Sequence, residues 1–183
     1  MRVKFRNFLQ TFNTKGINDL RDYKSVMQLH KQNYSMAQIK SKFNVSLDKL
    51  HEWRNNGVKP PAVKIIDKAK LRGYFKPISR NTLEAIAYLV GYNLGDGNVS
   101  RNLCNTWFYG VNSDLEDLKK LLFQFKVKPV VYTYKINNGK MAVHDNAFSR
   151  FLVCCGAVIG DKTKSKYDVP KWILDSGKAS KLK

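Results

Sequence analysis

Residues 81–100 read NTLEAIAYLVGYNLGDGNVS, and this stretch decides what the C-terminal part of the chain forms. Its apolar residues recur at helical spacing, which predicts an amphipathic helix over about 83–95. Asn81 is the expected N-cap, with Glu84 three residues later as its reciprocal partner. Gly97 is expected to end the helix in the left-handed conformation.

Gly91 and Gly95 lie four residues apart, on one face of this helix. A glycine inside a helix costs about 1 kcal/mol relative to alanine, so the pair predicts close packing of a second helix. Asp96 falls at the negative end of the helix dipole, which is unfavourable unless a cation is present. A symmetric homodimer through this face would bring two Asp96 carboxylates and two carbonyl-rich helix ends together, and that point would be a divalent-metal site. The alternative is a core helix that ends in an ordinary Asp-Gly turn.

The chain is strongly basic, with 33 Lys and Arg against 14 Asp and Glu and a net charge of +19. Residues 1–80 have a net charge of +13 and residues 81–183 a net charge of +6. This charge predicts a polyanionic partner whose binding weakens as salt is added. No apolar run is long enough to span a membrane and no signal peptide is visible, so we expect a cytoplasmic protein with no membrane partner.

Residues 1–78 are predicted to form a helical DNA-binding region, in which the pattern of residues 1–18 defines no role. Ser35 and Ser46 are the expected N-caps of two short helices. The run SMAQIKSKFNVSLDKLHEWRNNG, residues 35–57, resembles a helix-turn-helix unit with its turn near Asn44. The alternative is a three-helix bundle with a solvated basic face.

The second helix of that unit would be the recognition helix. Lys49 is expected to contact a phosphate, because its ammonium is a compact charge. Arg54 and Asn55 suit base edges in the major groove, where their side chains make bidentate hydrogen bonds.

The residues after Gly97 alternate between strand and helix patterns. The order from residue 83 onward is helix, strand, strand, helix, strand, strand, helix, with a short helix after Pro170. It predicts an α+β αββαββα domain over 79–183, with helices on one face of a sheet and the other face open. Cys104, Cys154 and Cys155 lack a CxxC pattern and are expected to be reduced and buried. Three histidines show no zinc-ligand spacing.

LVGYNLGDG at 89–97 resembles the signature of the LAGLIDADG homing endonucleases. VNSDLEDLKKLLFQF at 111–125 looks like the second helix of that family, and FLVCCGAVIGDKTKSKYDVPKWIL at 151–174 looks like its closing segment. The resemblance implies the αββαββα fold and a Mg²⁺-dependent, site-specific double-strand DNA endonuclease. A chain with a single motif would act as a homodimer on a pseudo-palindromic DNA site.

The resemblance also implies roles for individual residues. Asp96 would be catalytic and, with the Gly95 carbonyl, would bind two or more Mg²⁺ ions at the dimer axis. Gly91 and Gly95 would form the dimer interface. The catalytic lysine is best matched by Lys162, with Lys164 and Lys166 as alternatives. Residues expected to contact DNA on the open sheet face are Arg101, Lys135 and Lys140.

Two alternatives use the same scaffold. A DNA-binding transcriptional regulator that does not cut is favoured by the large basic N-terminal region and by Gly110, which stands where many family members have a polar side chain near the metal. An RNA-splicing maturase, with RNA as the partner, is also compatible with the positive charge.

Overall fold

The computed structural model describes residues 1–43, 45–133, 137–164 and 166–180, with the backbone alone described at 133, 164 and 176–180. The chain divides into two compact units. The smaller unit is Leu9–Lys68, and the larger unit combines Met1–Phe8 with Ala69–Lys183.

The smaller unit is helical. Its helices are α2 (Thr14–Lys31), α3 (Met36–Lys42), α4 (Leu47–Arg54) and most of α5 (Pro61–Leu71). Helices α2, α3 and α4 pack around a cluster of buried apolar side chains: Val26, Ile39, Val45, Leu50 and Trp53. The expected turn residue Asn44 lies outside the described residues.

The two N-caps expected in this unit are confirmed. Ser35 Oγ accepts a hydrogen bond from the Gln38 backbone N at 3.3 Å, and Gln38 Oε1 accepts one from the Ser35 backbone N at 2.8 Å. Ser46 Oγ accepts a hydrogen bond from the Lys49 backbone N at 3.4 Å. These bonds satisfy backbone donors that the first turn of a helix leaves unpaired.

The larger unit begins with α1 (Phe5–Leu9), most of which belongs to it. Phe8 of this helix is fully buried and packs edge-to-face on Phe75, with ring centroids 5.2 Å apart. The Met1 carbonyl accepts a hydrogen bond from the Ile78 backbone N at 3.1 Å. The first residues, for which the sequence defined no role, therefore help to hold the segment that leads into the next helix.

Helices and strands alternate through the rest of the larger unit. They are α6 (Arg80–Asp96), β1 (Gly97–Val99), β2 (Thr106–Val111), α7 (Asn112–Gln124), β3 (Val130–Thr133), β4 (Asn138–Val143), α8 (Asn146–Cys154), a 3₁₀ turn (Lys162–Lys164) and α9 (Lys171–Ser180). The four strands form one antiparallel sheet in the order β1-β2-β4-β3.

Among the described residues, α6, α7 and α8 contact the same face of this sheet. The α6 residue Tyr92 reaches the position of Gly110, and the α7 residue Leu115 approaches Gly139. Thr106 Oγ1 lies 2.9 Å from the Oγ of Ser149 on α8. Because side chains alternate across a strand, the neighbours of Thr106, Gly110 and Gly139 in each strand point to the opposite face, which we call the open face.

Two expectations about α6 are wrong. Ser79, not Asn81, is the N-cap, and its Oγ accepts a hydrogen bond from the Thr82 backbone N at 3.3 Å. Gly97 is extended, with φ −122° and ψ 172°, and begins β1 instead of adopting the left-handed conformation. Glycine is needed there because a Cβ would lie 2.7 Å from the Asn93 Cα.

The cysteines differ in burial, although all three are free thiols as expected. Cys155 is buried, Cys154 is half-buried and Cys104 is exposed, so burial was predicted correctly for Cys155 only. Among the helices that the structure describes, none combines the length and the apolar character needed to cross a bilayer.

Candidate nucleic-acid interface

The register of β2, β3 and β4 determines which residues lie next to one another on the open face. Lys140 on β4 lies directly opposite Tyr109 on β2 and Tyr132 on β3. Trp107 is two residues before Tyr109 and therefore projects from the same face of β2. The register thus gathers three aromatic side chains around one lysine.

The lysine sits against the faces of two of these rings. Lys140 Nζ lies 4.9 Å from the centroid of the Trp107 ring and 5.4 Å from that of the Tyr132 ring. The two ring centroids are 6.2 Å apart, with the rings inclined at 37°. Both distances from the ammonium to a ring centroid fall within the range of cation–π attraction, so the positive charge is held above the sheet.

His144, just after β4, contacts two of these aromatic side chains. Its Nδ1 lies 2.8 Å from Asn105 Oδ1, and its Nε2 lies 3.4 Å from the Tyr132 hydroxyl. The imidazole also meets Trp107 edge-to-face at 5.7 Å and 89°. We refer to Trp107, Tyr132, Lys140 and His144 as the aromatic cluster.

Apolar and aromatic surface around the cluster remains open to solvent. Tyr109 is 45% exposed, Tyr132 38% and Val130 44%. Within the described strands Lys140 is the one charged residue, and none is acidic. An exposed aromatic surface with a cation and no carboxylate is suited to an anionic, aromatic ligand.

A second group of the expected site residues meets at the C-terminal end of α6. Lys162 Nζ donates hydrogen bonds to the backbone carbonyls of Asn93 at 2.8 Å, Leu94 at 3.1 Å and Gly95. The Tyr167 hydroxyl also donates to the Leu94 carbonyl, at 3.3 Å. The ammonium therefore caps the negative end of the helix dipole, where the sequence predicted a metal cation.

The oxygen atoms of Gly95 and Asp96 in one chain do not form the expected Mg²⁺ site. The Gly95 carbonyl accepts from Lys162, and Asp96 is exposed. Over the described residues, no group of three or more His, Cys, Asp or Glu side chains comes together. Burial lowers the pKa of Lys162, and the nearby Asp96 carboxylate opposes that shift. Mg²⁺ binding stays a prediction, and it depends on a second copy that brings another Asp96.

The glycine face of α6 is open in the single chain. A Cβ built at Gly91 or at Gly95 would meet nothing within 4 Å, and both glycines are exposed. The close approach expected at this face is therefore not made within the described part of the chain. The homodimer through Gly91 and Gly95 stays a prediction.

Gly110 has a structural explanation. A Cβ at this position would clash with the Tyr92 hydroxyl, which donates a hydrogen bond to the Tyr109 carbonyl at 2.9 Å. A polar side chain at 110 would displace this hydroxyl. Glycine is thus the residue that lets α6 lie closely over β2.

The remaining residues expected to bind nucleic acid are placed separately. In the smaller unit, Lys49 Nζ pairs with Asp19 at 3.2 Å, Arg54 is half-buried and Asn55 is exposed at the C-cap of α4. In the larger unit, Arg101 is exposed and its side chain packs over Gly160.

Three further lysines were candidates for the DNA-binding face or for the catalytic role. Lys135 lies outside the described residues, as does the Lys164 side chain. Lys166 is exposed.

Comparison with known proteins gives one similarity. No known family model matches the chain, and no solved structure matches it. The chain is 30% identical over 108 residues to the tRNA-splicing ligase RtcB of Pyrococcus furiosus, a match that covers 50% of this chain and 11% of that protein. The chain thus spans only a small part of the length of this relative.

These comparisons correct the expected family and function. Membership in the LAGLIDADG homing endonuclease family, with a helix-turn-helix-like N-terminal domain, is wrong because no family model matches and the similar protein is a ligase. The expectation of a site-specific double-strand DNA endonuclease on a pseudo-palindromic site is wrong for the same reason. Neither the transcriptional regulator nor the RNA-splicing maturase gains support.

The comparison agrees with the expectation of an enzyme in general but not with the expected kind of enzyme. The similar protein is an enzyme by its name, but that name is not that of a Mg²⁺-dependent homing-type DNA endonuclease.

Sequence reasoning missed most of the aromatic cluster. It singled out Lys140 as a cation, without the rings of Trp107 and Tyr132 beside it. The signal was present in the alternation of β2 and β4, because residues of equal parity in paired strands share a face. It also missed that Lys162 caps α6, a contact between residues 67 apart in the chain.

Proposed function

We propose that this chain is an RNA-binding module and that the open face of its sheet is the contact surface. The observation that supports this most directly is the position of Lys140, whose ammonium lies over the rings of Trp107 and Tyr132. A cation beside exposed aromatic rings offers both a phosphate contact and surfaces on which bases stack.

The charge of the chain favours a nucleic acid over a protein as the occupant of this face. The net charge is +19, and the described strands contain no acidic residue to pair with a basic partner. A polyanion is attracted by this field over the whole approach, whereas a protein partner would need a matching acidic surface. RNA is proposed ahead of DNA because the similar protein is named for tRNA splicing.

The smaller unit is proposed to add contacts to phosphates. Its described surface includes the exposed Asn55 and the half-buried Arg54 at the end of α4. Lys49 contributes less charge, because Asp19 lies 3.2 Å from its ammonium. These contacts would raise affinity without reading sequence.

A binding measurement with a matched charge control tests this proposal. Fluorescence anisotropy of a labelled RNA would be followed over a salt series with the unmodified chain, Lys140→Ala and Lys120→Ala. Lys120 is the control because it lies on α7, which covers the opposite face of the sheet. Its substitution also removes one ammonium, which in this case is paired with Asp117 at 2.8 Å.

We expect Lys140→Ala to weaken RNA binding and to reduce the slope of log Kd against log salt by about 0.7, the value for one phosphate contact to a single strand. Lys120→Ala should leave the slope close to that of the unmodified chain. Equal effects of the two substitutions, or no RNA binding at low salt, would refute the proposal. A tenfold excess of unlabelled duplex DNA, added as a competitor, tests double-stranded DNA as the alternative ligand.

Phosphoryl transfer on RNA is a second candidate function. The observation that favours it is the proximity of Asp96 to Lys162, an ammonium whose pKa is lowered by burial. A carboxylate beside a lysine whose charged form is disfavoured by burial offers two groups that can accept and donate protons in such a reaction. Incubation of end-labelled RNA with the chain and Mg²⁺ should give new products that Lys162→Met does not give, and an unchanged RNA would exclude this candidate.

A further inference from the structure

The open face offers ring surfaces that a nucleic-acid duplex has no means of using. Tyr109 and Tyr132 flank Lys140 on the two neighbouring strands and are 45% and 38% exposed. In a duplex the base faces are stacked on one another, and only base edges, sugars and phosphates reach a protein. Aromatic side chains on an open sheet contact base faces only where the bases are unpaired and splayed out.

The spacing of the strands gives room for more than one base. Tyr109 and Tyr132 stand on strands that have β4 between them, so their backbones are about 10 Å apart, twice the spacing of neighbouring strands. That separation lets each ring stack on its own base. Lys140 stands opposite both tyrosines in the strand register, so we assign the phosphate that connects the two bases to its ammonium.

The charge on the face leads to the same conclusion. Duplex-binding surfaces gain their affinity by neutralising many phosphates with many cations. Within the described strands Lys140 is the one cation, whereas three aromatic side chains, Trp107, Tyr109 and Tyr132, share the face with it, so these strands offer more stacking surface than charge. Unpaired bases can stack on aromatic side chains, whereas the bases of a duplex are stacked on one another and are not available for this contact.

His144 contacts one of these rings at its hydroxyl end. Its Nε2 lies 3.4 Å from the Tyr132 hydroxyl, while its Nδ1 lies 2.8 Å from Asn105 Oδ1. The imidazole therefore lies at the hydroxyl end of the Tyr132 ring.

We propose that the open face selects unpaired nucleotides, with bases stacked on Tyr109 and Tyr132 and their phosphate bound by Lys140. This inference rests on the proposed RNA-binding function and specifies its ligand class.

The test compares one RNA strand in three forms. A labelled 20-nucleotide RNA without internal pairing, the same strand annealed to its complement, and a hairpin with an eight-nucleotide loop would be titrated into the full chain by fluorescence anisotropy. Variants would be Tyr109→Ala and Tyr132→Ala. Tyr88→Ala is the matched control, because Tyr88 is 49% exposed on α6, a helix that covers the other face of the sheet.

We expect the unpaired strand and the hairpin loop to bind at least about tenfold more tightly than the duplex at 150 mM salt. Each of the two open-face substitutions should weaken binding of the unpaired strand by about 5- to 100-fold, the range for loss of one stacked base. Duplex affinity should be unchanged by them, and Tyr88→Ala should change neither. Circular dichroism of each variant shows whether it remains folded.

The outcomes separate the two proposals. Equal affinity for strand and duplex, with no effect of Tyr109→Ala or Tyr132→Ala, would overturn selection of unpaired nucleotides and leave RNA binding standing. Absence of binding to all three RNAs would overturn both. A change of oligomeric state in Tyr109→Ala, without RNA binding, would identify the face as an interface between copies of the chain and would also overturn both.

Discussion

The ion pair between Arg72 and Asp145 gives a quantitative prediction for the scaffold behind the open face. Arg72 Nη2 lies 2.8 Å from Asp145 Oδ2, and the two side chains are 11% and 8% exposed. Asp145 also caps α8, because its Oδ1 accepts hydrogen bonds from the backbone N of Ala147 and of Phe148, each at 3.0 Å. It follows His144 directly, so the pair anchors the chain that leads from β4 into α8.

Replacing Arg72 with Met would remove the guanidinium that pairs with the buried Asp145 carboxylate. Removal of one partner from a buried ion pair destabilises a protein by about 3–5 kcal/mol. The two cap hydrogen bonds still stabilise the carboxylate, so we expect a loss near the lower end, about 3 kcal/mol. In a protein of this size each kcal/mol lowers Tm by about 2–4 °C, so the expected change in Tm is about 6–12 °C.

The assay is urea and thermal unfolding followed by circular dichroism, with two comparisons. Arg80→Met is the control, because the Arg80–Glu84 pair is 76% and 68% exposed and should contribute no more than about 0.5 kcal/mol. The double variant Arg72→Met with Asp145→Asn should recover most of the lost stability, since asparagine keeps the cap and removes the unpaired charge. The reasoning is refuted if Arg72→Met and Arg80→Met unfold alike, or if the double variant is the least stable.

Three further predictions concern glycines and cysteines. Gly97→Ala should lower the free energy of unfolding by about 1–3 kcal/mol, because its Cβ would meet the Asn93 Cα at 2.7 Å. Gly91→Ala, with nothing within 4 Å in the single chain, should raise it by up to about 1 kcal/mol at a concentration where the chain is a monomer; equal changes in urea unfolding at that concentration would contradict this. Sedimentation should show self-association of the unmodified chain that Gly91→Leu abolishes, and a monomer at every concentration would exclude pairing through α6. Iodoacetamide at pH 8, followed by mass spectrometry of the native protein, should label the exposed Cys104 first and should not label Cys155, because burial raises the pKa of the Cys155 thiol. Early labelling of Cys155 would contradict this prediction.

Local patterns were sufficient to predict most helices and strands. Ser35 and Ser46 cap the helices that they were expected to cap, because a serine before a helical run satisfies backbone donors regardless of what packs on it. The cap of α6 was misplaced by two residues, since Ser79 and Asn81 are both good N-caps and only the entry of the preceding chain decides between them. Such choices depend on tertiary packing.

The candidate site was less predictable, because its parts come from distant positions. Lys140, Trp107 and Tyr132 meet through the order and register of three strands, which no local pattern fixes. Gly97 was assigned a left-handed turn, yet its actual requirement is the close approach of the Asn93 backbone. The Gly-Asp-Gly run was consistent with a metal site, but the cation nearest to Gly95 is the Lys162 ammonium, supplied from far along the chain.

Crosslinking of RNA to the chain is the most direct test of the open face as the binding surface. A single-stranded RNA that contains 4-thiouridine would be irradiated with the unmodified protein, and the crosslinked peptides would be identified by mass spectrometry. Crosslinks at Trp107, Tyr109 and Tyr132 are the predicted result. Crosslinks confined to Leu9–Lys68 or to the exposed residues of α6, with none on β2 or β3, would contradict the account.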